Sequence, residues 1–103
     1  MTDKDFKIRC ELAALYRILH MYGMTDLANQ CAGARSIENK DNSYVHPYGM
    51  FYEEITASSL VKINKEGKAI ENDNPWLNDG CNNLAKWIFN ARDDVNFYVH
   101  GHA

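Results

Sequence analysis

The sequence lacks closely spaced cysteines, basic runs and long apolar runs, and it has little proline. Its three cysteines, Cys10, Cys31 and Cys81, stand far apart. Without a Cys-x-x-Cys pair, neither a zinc knuckle nor a dithiol redox motif is supported. Three buried or partly buried thiols are expected instead. Lysine and arginine number 11 against 14 acidic residues, for a formal net charge of −3, and they are scattered along the chain. A nucleic-acid partner calls for a basic face and a lipid surface for a polybasic cluster, so neither partner is expected. The longest apolar stretches are a few residues, far short of the ~20 that cross a bilayer. The opening residues Met1-Thr2-Asp3-Lys4-Asp5 are acidic and polar, unlike a secretory leader. A reducing cytoplasm is therefore the expected setting.

What is present is one small globular domain. The 103 residues are 46% hydrophobic and 24% charged, which argues against disorder and against a coiled coil. Asp3 or Asp5 can cap a first helix. Ile8, Leu12, Leu15, Leu19 and Tyr22 then recur at helical spacing, with Lys7, Glu11 and Arg17 off the stripe. Gly23 suits the position after the helix, and Thr25 or Asp26 can cap a short second helix to about Gln30. A strand is expected over 31–37, a turn over 39–42, and a short strand over 43–46 that Pro47 and Gly49 break. Residues 60–64 and 68–71 read as a hairpin around Lys65-Glu66-Gly67. A polar loop with Pro75 and Trp76 leads to a helix over 81–91, with Leu84, Ile88 and Ala91 on its buried face and Trp87 beside it. A strand over 95–99 precedes His100-Gly101-His102-Ala103. Alternating helices and strands imply a layered α/β class, and the hairpin makes part of the sheet antiparallel.

The one constellation with metal chemistry is His100-Gly101-His102. Side chains at i and i+2 of a strand share a face, and their Cα atoms lie ~6.5 Å apart. Two imidazoles so placed can converge on one ion at Zn–N distances of ~2.1 Å. The competing reading is a polar chain end that happens to contain histidine. Elsewhere, Glu53 and Glu54 are adjacent and would point to opposite faces of a strand, so they read as a solvated turn rather than a carboxylate pair. His46 reads as a strand-end surface histidine and His20 as helix surface. Trp76 and Trp87 read as packing residues. Arg92 reads as structural, paired with Asp93, Asp94 or the helix C-terminus.

Residues 88–102, a helix ending in Arg92, the Asp94-Val95 turn and an apolar strand delivering His100-Gly101-His102, resemble the signature of the class II aldolase/adducin family. Glu54 to Asn64 and Gly67 resemble its adducin branch. Arg9-Cys10, Leu12-Ala13, Tyr16-Arg17 and Pro47-Tyr48-Gly49 match in the same order. The resemblance covers nearly the whole chain but only roughly the first half of the family's domain. It implies a three-layer α/β/α fold around a mostly antiparallel sheet, here an incomplete domain over 1–103.

It also implies a zinc ion held by three histidines, a glutamate acid/base and phosphate-holding loops acting on a small carbonyl or sugar-phosphate substrate, usually in a homo-oligomer. His100 and His102 match the first two zinc ligands, and the third histidine lies beyond the family's His-x-His. The acid/base glutamate falls on Cys81, a thiol and not an equivalent carboxylate. The phosphate loops fall on Gln30-Cys31, Tyr48-Gly49 and Asp79-Gly80, and acidic Asp79 would repel a phosphate. Three readings follow: a domain without aldolase activity on its own, a zinc-dependent lyase or isomerase completed by another chain, and an adducin-like interaction module.

Overall fold

Two helices and four strands alternate as α1 (Asp3–Met21), β1 (Cys31–Arg35), β2 (Ser43–Val45), β3 (Val61–Ile63), α2 (Asp79–Ala91) and β4 (Phe97–His100). The computed structural model describes residues 3–21, 31–47, 55–70 and 79–100. The expected helix over 25–30, Gly23, Glu53, Glu54, Trp76 and His102 lie outside the described residues.

The strands form one sheet in the order β3-β2-β1-β4, with every neighbouring pair antiparallel. Alternate residues face alternate helices. Ala32, Ala34 and Tyr44 join Ile8, Leu12, Tyr16 and Leu19 of α1 in one buried cluster. Val45, Val61, Ile63 and Tyr98 join Ala85 and Phe89 of α2 in the other. The sheet is therefore the middle layer of an α/β/α sandwich, as expected.

Both helices bury a stripe, each slightly turned from the expected one. In α1 the stripe runs Ile8–Leu12–Tyr16–Leu19, with Tyr16 fully buried and Leu15 only partly covered. A 3.6-residue turn keeps the i+4 series on one line, and a tyrosine joins it when its hydroxyl has a partner. In α2 the buried residues are Ala85 and Phe89, while Leu84 and Ile88 are half-buried and Ala91 is exposed. Two amides set this rotation. Asn82 Nδ2 donates to the Gly67 carbonyl, and Asn90 Nδ2 donates to the Lys65 carbonyl at 2.9 Å. They hold one flank of α2 against the 64–68 turn and leave Trp87 63% exposed.

Side chains also shorten the strands. The expected strand over 31–37 stops at Arg35 because the Ile37 and Glu38 amides donate to the Asp5 carboxylate instead of to a ladder. The expected return strand after Gly67 is a single bridge, Ile63↔Ala69. There Asn64 Oδ1 accepts from the Glu66 and Lys68 amides, each at 3.0 Å, the local competition that short polar side chains offer a ladder. Gly67 itself has φ +83°, the left-handed conformation expected of it.

Gly33 is required for a different reason. It stands opposite Tyr98 in the β1–β4 register, and a Cβ there would lie 2.5 Å from the Tyr98 ring. That ring is buried edge-to-face on Phe89, 5.5 Å between centroids, so it has little room to yield. Gly33→Ala is expected to cost about 1–3 kcal/mol by overpacking, read as a lowered urea midpoint. An unchanged midpoint would contradict this packing.

Candidate functional site

The site foreseen in the sequence hangs on the α2–β4 hairpin. After Ala91 the chain turns within five residues. Val95 N donates to Arg92 O at 3.2 Å, and the Arg92 guanidinium grips the Asp94 carboxylate through two bonds of 2.9 and 2.8 Å. This pair is the structural role expected of Arg92. It holds Asp94 below the usual carboxylate range, chiefly through the hydrogen bond from Arg92. Both partners are exposed, so the pair shapes the turn more than it stabilises the fold.

Arg35 fixes the hairpin to the sheet. Its guanidinium donates to the carbonyls of Phe89 (2.9 Å), Arg92 (2.8 Å), Val95 (3.0 Å) and Lys40 (3.0 Å). It also lies 4.9 Å from the Phe89 ring centre. The last carbonyls of a helix have no partner within the helix, and a buried cation suits that end of the dipole. Arg35 thus sets where α2 ends and where β4 begins. Nothing in the small-residue strand Cys31-Ala32-Gly33-Ala34-Arg35 signals this task.

From that anchor β4 runs back along α2. His100 is its last residue, opposite Cys31 in the register and exposed. Alternation from Tyr98 places His100 on the α2 face of the sheet. A helix rises ~1.5 Å per residue and a strand ~3.3 Å. Counting from the stacked Phe89 and Tyr98, His100 is about level with Ala85, one helical turn from Cys81. The Cys81 backbone lies in the first turns of α2, and its side chain is not among those described.

His46 is not the surface residue expected. It is 6% exposed, on the α1 face with Tyr44, and its ring meets Tyr16 edge-on at 4.9 Å. Tyr16 Oη donates to the Ala32 carbonyl, accepts from the Ala32 amide at 3.1 Å, and lies 2.9 Å from His46 Nδ1. Ala32 stands where the β1–β2 ladder would continue to residue 46. β2 ends at Val45, and the Tyr16 phenol takes over the Ala32 backbone groups. Burial pushes His46 down to about 4, so the ring is neutral at pH 7. Because His46 and His100 face opposite helices, they cannot share an ion.

Among the described residues, no group of three His, Cys, Asp or Glu side chains could hold a metal ion. A histidine pair suits zinc as a donor set, yet a zinc site takes at least three protein ligands. The described residues do not supply that set. Cys10 is exposed and free, against the expectation of a buried or partly buried thiol. It sits on the outer side of α1, away from the stripe.

Two clefts open at the other end of the sheet, where β1 ends and β4 begins. One of about 460 Å³ is lined by Ile8, Ser36, Ile37, Asn96 and Phe97, and both clefts share Arg35, Lys40 and Asp93. Neither reaches His100.

Residues 10–103 match the model of the class II aldolase and adducin N-terminal domain. The chain belongs to this family. It is 35% identical over 103 residues to rat alpha-adducin, covering 97% of this chain and 14% of that one. A Caulobacter vibrioides protein named for class 2 aldolases is 33% identical, covering 100% of this chain and 40% of its own length. The fold superposes on an aldolase II superfamily protein from Pseudomonas syringae with a TM-score of 0.92 and 26% identity, covering all of this chain and 41% of that chain. L-fuculose 1-phosphate aldolase from Glaciozyma antarctica follows with a TM-score of 0.87 and 26% identity, covering 95% and 41%. The chain therefore spans less than half the length of these relatives. No described helix is long and apolar enough to cross a membrane.

Proposed function

We propose that residues 1–103 form the histidine-bearing part of a class II aldolase/adducin domain, that His100 and His102 are a zinc-ligand pair, and that these residues alone do not cleave a sugar phosphate. The observation that carries this reading is the hairpin geometry. Arg35 and the 92–95 turn return β4 along α2, so His100 comes about level with the middle of that helix, one turn from the Cys81 backbone. In the family resemblance that position belongs to the acid/base glutamate. A thiol is not an equivalent carboxylate, even with the lowered pKa that a helix N-terminus favours. When bound, zinc would supply Lewis-acid polarisation of a substrate carbonyl. A cytoplasmic setting suits the free thiol of Cys10.

Elemental analysis of the untagged chain tests the metal claim. About one zinc per one or two chains is expected, and it should be lost in the His100→Ala/His102→Ala double variant. A zinc-free wild-type chain would remove the pair from consideration. A retro-aldol assay on L-fuculose 1-phosphate tests the catalytic claim, and no turnover is expected.

The likeness to L-fuculose 1-phosphate aldolase favours a second reading, an active zinc-dependent lyase or isomerase on a small phosphosugar whose site another chain completes. Turnover that disappears in His100→Ala would select it. The 35% identity to alpha-adducin favours a third, a protein-interaction module. Co-sedimentation with actin filaments would select that one.

A further inference from the structure

Position 31 is the direct cross-strand neighbour of His100. Arg35 N donates to Asn96 O at 2.8 Å, and the register continues Gly33↔Tyr98 and Cys31↔His100. Every second pair of an antiparallel ladder exchanges both backbone bonds, with Cα atoms ~5.5 Å apart. Cys31 and His100 are such a pair. Ala32 and Ala34 are buried against α1, so alternation puts positions 31 and 33 on the α2 face, with Tyr98 and His100. The Cys31 side chain is not among those described, and its position follows from the backbone. That backbone is held from both sides. β4 pairs with Cys31 on one side, and on the other the Tyr16 phenol bonds both the N–H and the C=O of Ala32. Support of this kind holds the residues of a site in a fixed geometry.

We infer that Cys31 is a third ligand to the ion held by His100 and His102, giving a site of one thiolate and two imidazoles on the α2 face of β1 and β4; this rests on the proposal that the two histidines are ligands. Cross-strand partners have Cβ atoms ~4.5–5.5 Å apart, a span that one ion bridges with Zn–S ~2.3 Å and Zn–N ~2.1 Å. Thiolate and imidazole together select zinc or a similar divalent ion over magnesium and calcium, which prefer oxygen. The thiol binds as thiolate, so uptake of the ion releases its proton. Neither of the other cysteines has this placement. Cys10 is on the outer side of α1, across the sheet, and Cys81 belongs to the helix layer, one turn from the level of His100. Residue 31 also falls within a phosphate loop of the family resemblance. An anionic thiolate there would repel a phosphate, so the residue that adds a metal ligand also disfavours a phosphosugar.

Titration of the reduced, untagged chain with cobalt(II) under argon tests the ligand. Cobalt stands in for zinc, and its bond to a thiolate gives a near-ultraviolet charge-transfer band that imidazoles alone do not give. Saturation at one cobalt per chain, with that band, is expected. Cys31→Ser should abolish the band and raise the cobalt dissociation constant at least ~10-fold, a change that loss of an outer-shell partner alone can cause. Far-UV circular dichroism confirms the fold, and Cys31→Ala gives the same reading should the serine variant fail to fold. Cys10→Ser and Cys81→Ser should each keep the band. Cobalt that binds without the band, or a band that survives Cys31→Ser, overturns the third ligand and leaves the histidine pair standing. A chain that takes up no cobalt overturns the pair and the third ligand together, and the zinc analysis reads that failure by itself.

Discussion

Asp5→Ala is expected to lower stability by about 3–5 kcal/mol, a large share of the 5–15 kcal/mol that a domain of this size has. Asp5 is fully buried. Its Oδ1 accepts from the amides of Ile37 (2.9 Å) and Glu38 (3.2 Å), and its Oδ2 accepts from the hydroxyls of Ser36 and Tyr44, each at 2.6 Å. Removing the carboxylate strands four donors, at about 1–3 kcal/mol for each that stays unsatisfied. The hydroxyls can rotate toward other acceptors, whereas the amides cannot. Asp5→Asn should therefore cost less, about 1–2 kcal/mol, because its Oδ1 still serves the amides and its Nδ2 can donate to the hydroxyls. Urea denaturation should rank wild type above Asp5→Asn and Asp5→Ala last. Equal losses in both variants would mean that charge, not acceptor geometry, is what the site requires.

The same residue marks the limit of what the sequence discloses. Asp5 at the start of an apolar-periodic segment reads as a helix cap. It is instead inside α1 and serves a turn thirty residues away, fixing where β1 stops. Nothing local to residues 31–39 predicts that end, because the competing acceptor comes from another element. Asn64 is the contrasting case, since its effect on the hairpin is local. The turn around Gly67 was legible, and only the length of the return strand was overstated. Helix faces were legible to within a residue or so, and the rotation of α2 depends on Asn82 and Asn90 meeting carbonyls that periodicity cannot see.

The candidate site divides in the same way. The strand carrying His100, and the helix and turn before it, follow from apolar pattern and from the family's order of motifs. The anchor does not. Arg35 holds four carbonyls drawn from α2, from the 92–95 turn and from Lys40, and a lone arginine at a strand end gives no sign of such convergence. The separation of the histidines is also tertiary. A strand-end histidine before proline reads as exposed, and only the register of β1 with both neighbours shows that His46 points to α1 and His100 to α2.

That burial has a consequence at mild acidity. His46 is held at about 4 by desolvation, against about 6.5 in an unfolded chain. Between those values the unfolded chain binds a proton that the folded chain refuses, so stability is full above pH 6.5 and falls as pH drops toward 4. A shift of this size corresponds to about 3 kcal/mol. Asp5 acts in the next window down. Burial pushes its carboxyl up, but the hydrogen bonds from Ser36, Tyr44, Glu38 and Ile37 outweigh that and hold it below its ordinary value. Its contribution is present above the unfolded carboxylate pKa near 4 and is lost as pH falls through the folded one. Acid unfolding should thus proceed in two overlapping stages, the upper one due to His46. His46→Gln, which keeps a hydrogen-bonding group beside Tyr16 and cannot titrate, should flatten the decline between pH 6.5 and 4.5 while leaving the lower stage. Urea midpoints measured across that range decide the matter. A wild-type midpoint that does not move between pH 7 and 5 would mean that the His46 ring reaches solvent when it takes up its proton.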